Sequence, residues 1–66
     1  MPPSANTVRI LVVEDEYFIA DDLVRMLERE RMAVAGPVAS EAAARAELDR
    51  GGIDIAIVDI NLDGEI

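Results

Sequence analysis

Apolar and polar positions along this chain follow two different periods, and the switches between them mark five elements. Val8 to Val13 is an apolar, mostly β-branched run broken only by Arg9, and it ends abruptly at Glu14, Asp15 and Glu16. A continuous apolar run of this length predicts a strand buried on both faces, as in a parallel sheet, followed by an acidic turn. From Tyr17 to about Arg31 the apolar residues Ile19, Ala20, Leu23, Val24, Met26 and Leu27 recur at helical spacing, with Asp21, Asp22, Arg25, Glu28 and Arg29 on the other side. The three acids at the start of this helix and the arginines near its end both suit the helix dipole. Ala33 to Val38 contains Gly36 and Pro37, which exclude a central strand but are compatible with a short edge strand. Ser40 is placed to cap an alanine-rich helix running to about Arg50, with Glu41 and Arg45 spaced for an exposed pair one turn apart, and Gly51 and Gly52 end it. Ile53 to Val58 is a second buried strand, interrupted at Asp54 and stopping at Asp59. Strand, helix, strand, helix, strand is the pattern of right-handed βαβ units in a parallel sheet.

Size and charge narrow this picture. A chain of 66 residues forms one small domain, which buries only about 60% of the surface its unfolded state exposes. With no cysteine and no histidine, neither a disulfide nor a structural zinc can staple it. The net charge of −8 argues against a nucleic-acid surface and against attraction to anionic lipid, and favours metal cations or a basic partner. Residues 1–7, with two prolines and small polar groups, read as a disordered lead-in, leaving 8–66 as the folded unit. No stretch has the character of a signal peptide or approaches the ~20 apolar residues of a membrane span, so no membrane association and a cytoplasmic address are expected.

The stretch DINLDGEI, residues 59 to 66, reads as two chemistries. Asp59, Asn61, Asp63 and Gly64 imitate the opening of a calcium loop. That loop, however, needs an incoming helix and a bidentate glutamate at its twelfth position, and here two glycines and a β-branched run lead into Asp59. The alternative makes Asp59 a lone carboxylate at the end of a buried strand. In an open α/β sheet, ligands bind beyond the carboxyl ends of the strands. If the strands ending at Val13 and Val58 are neighbours, about 4.8 Å apart, Glu14, Asp15 and Asp59 converge at one edge. Such a cluster repels itself unless a cation sits among its members, and hard oxygen ligands suit Mg2+. One carboxylate can then act as a nucleophile toward a phosphoryl group. Taken singly, the same residues have plainer explanations: Glu14, Asp15 and Glu16 as helix-start acids, Asp59 as a turn residue, Asp54 as a solvated position at a strand start.

The residues ILVVEDE at 10 to 16 and IDIAIVDINLDGE at 53 to 65 resemble the first and third strands of the receiver domains of two-component response regulators, and VVEDE, AGPVAS and DINLDGE are closest to a group of single-domain receivers. The resemblance covers residues 8 to 66 and corresponds to the first half of a receiver. It implies a flavodoxin-like parallel α/β sheet cut to βαβαβ with strand order 2-1-3. It also implies Asp59 as both the phosphoacceptor and a metal ligand, Glu14 and Asp15 as metal-site acids with Asp15 a direct ligand, and the backbone carbonyl of Asn61 as a further Mg2+ ligand. A histidine kinase or phosphotransfer protein is the implied partner, with Phe18 and Asp22 on its recognition surface and no turnover-enzyme activity. The family's fourth and fifth strands, its phosphoryl-sensing Ser/Thr and its pairing lysine have no counterpart in this chain, which contains no lysine. Loss of that cation implies impaired phosphorylation. Without strand 4, residues 53–58 become an open edge, so the chain is expected to be dimeric or to exchange elements. Two further readings are kept: a non-phosphorylatable self-associating module, and a calcium-binding loop at 59–66.

Overall fold

The computed structural model describes residues 7–59, and the five elements appear in the expected order: β1 (Arg9–Val13), α1 (Tyr17–Arg29), β2 (Ala33–Val38), α2 (Glu41–Arg50) and β3 (Ile55–Val58). The strands form one parallel sheet in the order β2-β1-β3. This is a truncated βαβαβ portion of the flavodoxin-like arrangement, as expected. Thr7 apart, the lead-in lies outside the described residues, as do Asn61 and the remainder of residues 60–66.

β1 is the spine of the molecule because it alone is paired on both edges and covered on both faces. Leu11 and Val13 point to one side, where they meet Ala35 and Ala44 with Val38 and Ile53 at the margin. Ile10 and Val12 point to the other and meet Leu27, flanked by Leu23, Val24, Met32, Val34 and Ile57. The period-two alternation of a strand thus serves two half-cores, which is why the sequence of β1 is continuously apolar rather than alternating. Leu11 and Val12 are fully buried, each burial being worth about 1.5–3 kcal/mol.

The helix ends have identifiable causes. Glu16 stands at the N-cap of α1 without a side-chain cap bond, and the first turn holds no acid, so the acidic triplet precedes the helix instead of charging its first turn. At the other end Arg31 adopts φ 66, its N–H donates to the Glu28 carbonyl and the Met32 N–H to the Leu27 carbonyl. That is a Schellman closure with an arginine in the left-handed position, and it stops α1 at Arg29, two residues before the apolar periodicity suggests. α2 is capped as its sequence predicts: the Ser40 hydroxyl accepts the Ala43 N–H at 3.1 Å, and Gly51 takes φ 83 just beyond its end. Glu41 and Arg45 pair at 2.7 Å.

Three expectations about the last strand are corrected. β3 begins at Ile55 rather than Ile53, because Ile53 turns into the α2-side core. Asp54 is more than a solvated position: its carboxylate accepts the Arg9 N–H at 2.9 Å and its own N–H donates to the Arg9 carbonyl at 2.8 Å, joining the starts of β1 and β3. Nor is β3 buried. α1 and α2 both pack over β1 and β2, leaving Ile55 at 51% and Val58 at 54% exposure. Among the described residues β3 is paired with β1 alone.

Candidate functional site

Two parallel strands of matched register end together on one side of the sheet. Val13 is the register partner of Val58, so the next residue of each strand, Glu14 and Asp59, leaves the sheet beside the other. Backbone bonds hold both: the Glu14 N–H donates to the Val38 carbonyl at 2.9 Å, and the Asp59 N–H to the Val13 carbonyl at 3.0 Å. One carboxylate oxygen from each of Glu14, Asp15 and Asp59 lies within 4.8 Å of the others. Glu14 and Asp59 are half-buried and Asp15 is exposed.

The electrostatics reflect this crowding. The Glu14 carboxylate accepts the Glu16 N–H at 3.1 Å, which by itself lowers its pKa. Partial desolvation, a hydrogen bond shared with Asp59 and the like charges of Asp59 and Asp15 outweigh that bond, and the Glu14 pKa is raised above the ordinary carboxylate value. Like charges at this spacing disfavour full ionisation, and a cation or a shared proton relieves them. The donor set is all hard oxygen, with an open side toward solvent, which fits Mg2+ and leaves places for water and phosphate oxygens. Acids elsewhere are differently placed: Asp21 pairs with Arg25 at 3.0 Å and Glu47 with Arg50 at 3.5 Å, on helix surfaces.

Of the residues singled out in the sequence, Glu14, Asp15 and Asp59 are thus brought together, while Asn61 lies outside the described residues. Phe18 and Asp22 are both exposed on α1. Phe18 is 79% exposed and meets the neighbouring Tyr17 ring edge-on with centroids 5.4 Å apart. A strand, not a helix, leads into Asp59, which removes the incoming element that a calcium loop requires. The contribution of β2 was not legible: nothing in AGPV announces that the Val38 carbonyl anchors Glu14.

No family model matches the chain, and no solved structure matches it significantly. Among curated proteins it is similar to the sensory transduction protein RegX3 of Mycobacterium bovis and of Mycobacterium tuberculosis, at 44% identity over 55 residues in each. That similarity supports the resemblance to the receiver domains of two-component response regulators. The match takes in 83% of this chain but 24% of RegX3, so the chain spans about a quarter of the length of the curated relatives it matches. Among the described residues no helix of the chain is long and apolar enough to cross a membrane.

Proposed function

We propose that this chain is part of a receiver domain that accepts a phosphoryl group on Asp59 from a histidine kinase or a phosphotransfer protein, in a Mg2+-dependent reaction, and works as a signalling domain rather than a turnover enzyme. The observation that carries the reading is the convergence of Glu14, Asp15 and Asp59 at the ends of adjacent parallel strands. An Asp59 carboxylate oxygen attacks phosphorus, the bond from phosphorus to the donor's imidazole nitrogen breaks with its electron pair returning to the ring, and an acyl phosphate remains. Bound Mg2+ would offset the negative charge on the carboxylates and phosphoryl oxygens. Glu14, Asp15 and Asp59 would hold it, Asp15 directly, and the Asn61 carbonyl would complete the set. Half-burial of Asp59 limits competing water, and its N–H bond to the Val13 carbonyl fixes where the nucleophile stands. No lysine is present among the 66 residues to pair with the phosphoryl group, so transfer in this chain is slow.

Phosphorylation is tested by intact-mass spectrometry of the chain and of Asp59→Asn after incubation with Mg2+ and a small acyl-phosphate donor. The mass of one phosphoryl group is gained by the parent chain and not by Asp59→Asn, and omitting Mg2+ abolishes the gain. Equal labelling of both chains, or of neither, overturns the assignment. A second reading, self-association through residues 53–58, is favoured by the exposure of Ile55 and Val58 on an unpaired edge.

A further inference from the structure

We propose that Gly36 is a positioning residue for the acidic cluster: by letting β2 carry one extra residue, it brings the Val38 carbonyl to the Glu14 N–H and so fixes where the first acid leaves the sheet. The inference deepens the phosphoacceptor reading and rests on it for the consequence in cation binding, but not for the geometry.

Three observations meet at this position. The first is register. Arg9, Ile10 and Leu11 pair with Ala33, Val34 and Ala35, but Val13 then pairs with Val38, so β2 spends three residues where β1 spends two. A bulge of this kind bends a strand and re-aims the residues beyond it. The second is packing. Ala35 and Val38 both contact the α2-side core, although residues three apart point to opposite faces of a regular strand. The extra residue reconciles them. The third is space. Gly36 has φ +93, and a Cβ there would lie 2.8 Å from the Val38 nitrogen and 3.0 Å from the Val12 carbonyl oxygen. Both are backbone atoms and cannot rotate aside, so a side chain at 36 forces the backbone here to shift, with Val38 the nearest part of it.

Displacement of Val38 reaches the cluster through a single bond. Its carbonyl accepts the Glu14 N–H at 2.9 Å, while the Val13 carbonyl accepts the Asp59 N–H at 3.0 Å. Val13 and Val38 are register partners, so the backbones of both acids are referenced to one cross-strand pair. Moving Val38 releases Glu14 and leaves Asp59 in place. The spacing between the two carboxylates then changes without any change in the carboxylates themselves.

The test compares Gly36→Ala with Gly51→Ala. Gly51 also has positive φ, at 83, but nothing lies within 4 Å of a Cβ placed there, so its substitution brings backbone strain without displacement. Mg2+ binding is followed by calorimetric titration, and the Glu14 amide by hydrogen exchange in NMR spectra. Gly36→Ala weakens Mg2+ binding by about tenfold, the lower end for residues supporting metal ligands, and deprotects the Glu14 amide relative to those of β1. Gly51→Ala retains both properties. Undiminished Mg2+ affinity and a protected Glu14 amide in Gly36→Ala overturn the proposal, as does an equal loss in Gly51→Ala, which would trace the effect to stability. If the unsubstituted chain binds no Mg2+, the phosphoacceptor reading fails by itself, and the Glu14 amide still decides the positioning role. If Gly36→Ala does not fold, exchange in the unsubstituted chain decides it: protection matching β1 supports the proposal, and rapid exchange at Glu14 refutes it.

Discussion

At Glu14 the stability of the metal-free fold and the proposed metal site pull in opposite directions. Its carboxyl keeps a proton more readily in the folded chain than in the unfolded one, the Glu16 N–H notwithstanding, because it meets partial desolvation and the charges of Asp59 and Asp15. The sign comes from proton linkage. In the interval between its ordinary and its raised pKa the folded state binds more protons, so stability falls as pH rises through that interval, and the deficit persists at neutral pH. Glu14→Gln removes one of the three charges. The variant therefore unfolds at a higher temperature than the parent at neutral pH without divalent ions, and the difference closes as the medium becomes mildly acidic. Mg2+ reverses the order, since the parent gains more from the cation than a site with one fewer carboxylate. Thermal unfolding across pH, with and without Mg2+, reads all three outcomes, and a variant less stable than the parent in metal-free neutral buffer would defeat the account. These acids were legible because they follow directly on apolar runs, and the abrupt polar end of such a run is a sequence-level signal. The role of Asp54 was not legible, since its bond to the Arg9 N–H spans 45 residues and depends on a pairing that local patterns do not encode.

At the scale of elements, the fold stands or falls with β1. Four of its five residues are buried, and Leu11, at 0% exposure, sits in the α2-side core between Ala35 and Ala44. Leu11→Ala removes three buried carbon atoms' worth of contact and costs about 2–5 kcal/mol. Small domains have only about 5–15 kcal/mol in all, and one of this size lies toward the lower end. The variant should lose most of its cooperative urea transition, as followed by far-UV circular dichroism; an unchanged midpoint would mean that β1 is not the spine. The same scale shows what patterns carry and what they omit. α2 was readable end to end, because Ser40 and Gly51 are the residue types its two caps demand. The end of α1 was not, because its closure places Arg31 where glycine is the usual signal. The bulge in β2 was hidden for a related reason: Gly36 and Pro37 announce an irregular edge, but only the register against β1 shows that the irregularity is one added residue.

For the whole molecule the decisive feature is that, among the described residues, β3 is paired on one edge and only Ile57 of it packs toward a helix-covered core. The other edge presents backbone positions for a further strand, with Ile55 and Val58 half exposed beside it. A second copy can use this edge by a two-fold axis, which sets the two β3 strands antiparallel and extends the sheet to six strands. Charge works against the contact. Each copy carries a net charge of −8, and Asp54 and Asp59 bracket β3, so two-fold pairing brings carboxylates of the two copies toward one another. Exposed charges of this sort are screened strongly as the Debye length contracts from about 10 Å at 0.1 M salt to about 3 Å at 1 M. The 66-residue chain should therefore dimerise in sedimentation experiments at tens of micromolar, with a dimer fraction that rises with salt. Ile55→Lys places a charge on the apolar edge and should hold the chain monomeric with its secondary structure intact. Monomers at every salt concentration would remove the edge as an association surface, whereas a dimer indifferent to Ile55→Lys would place the contact elsewhere, with the apolar positions Ile19 and Met26 left exposed on α1 as the next surface to probe.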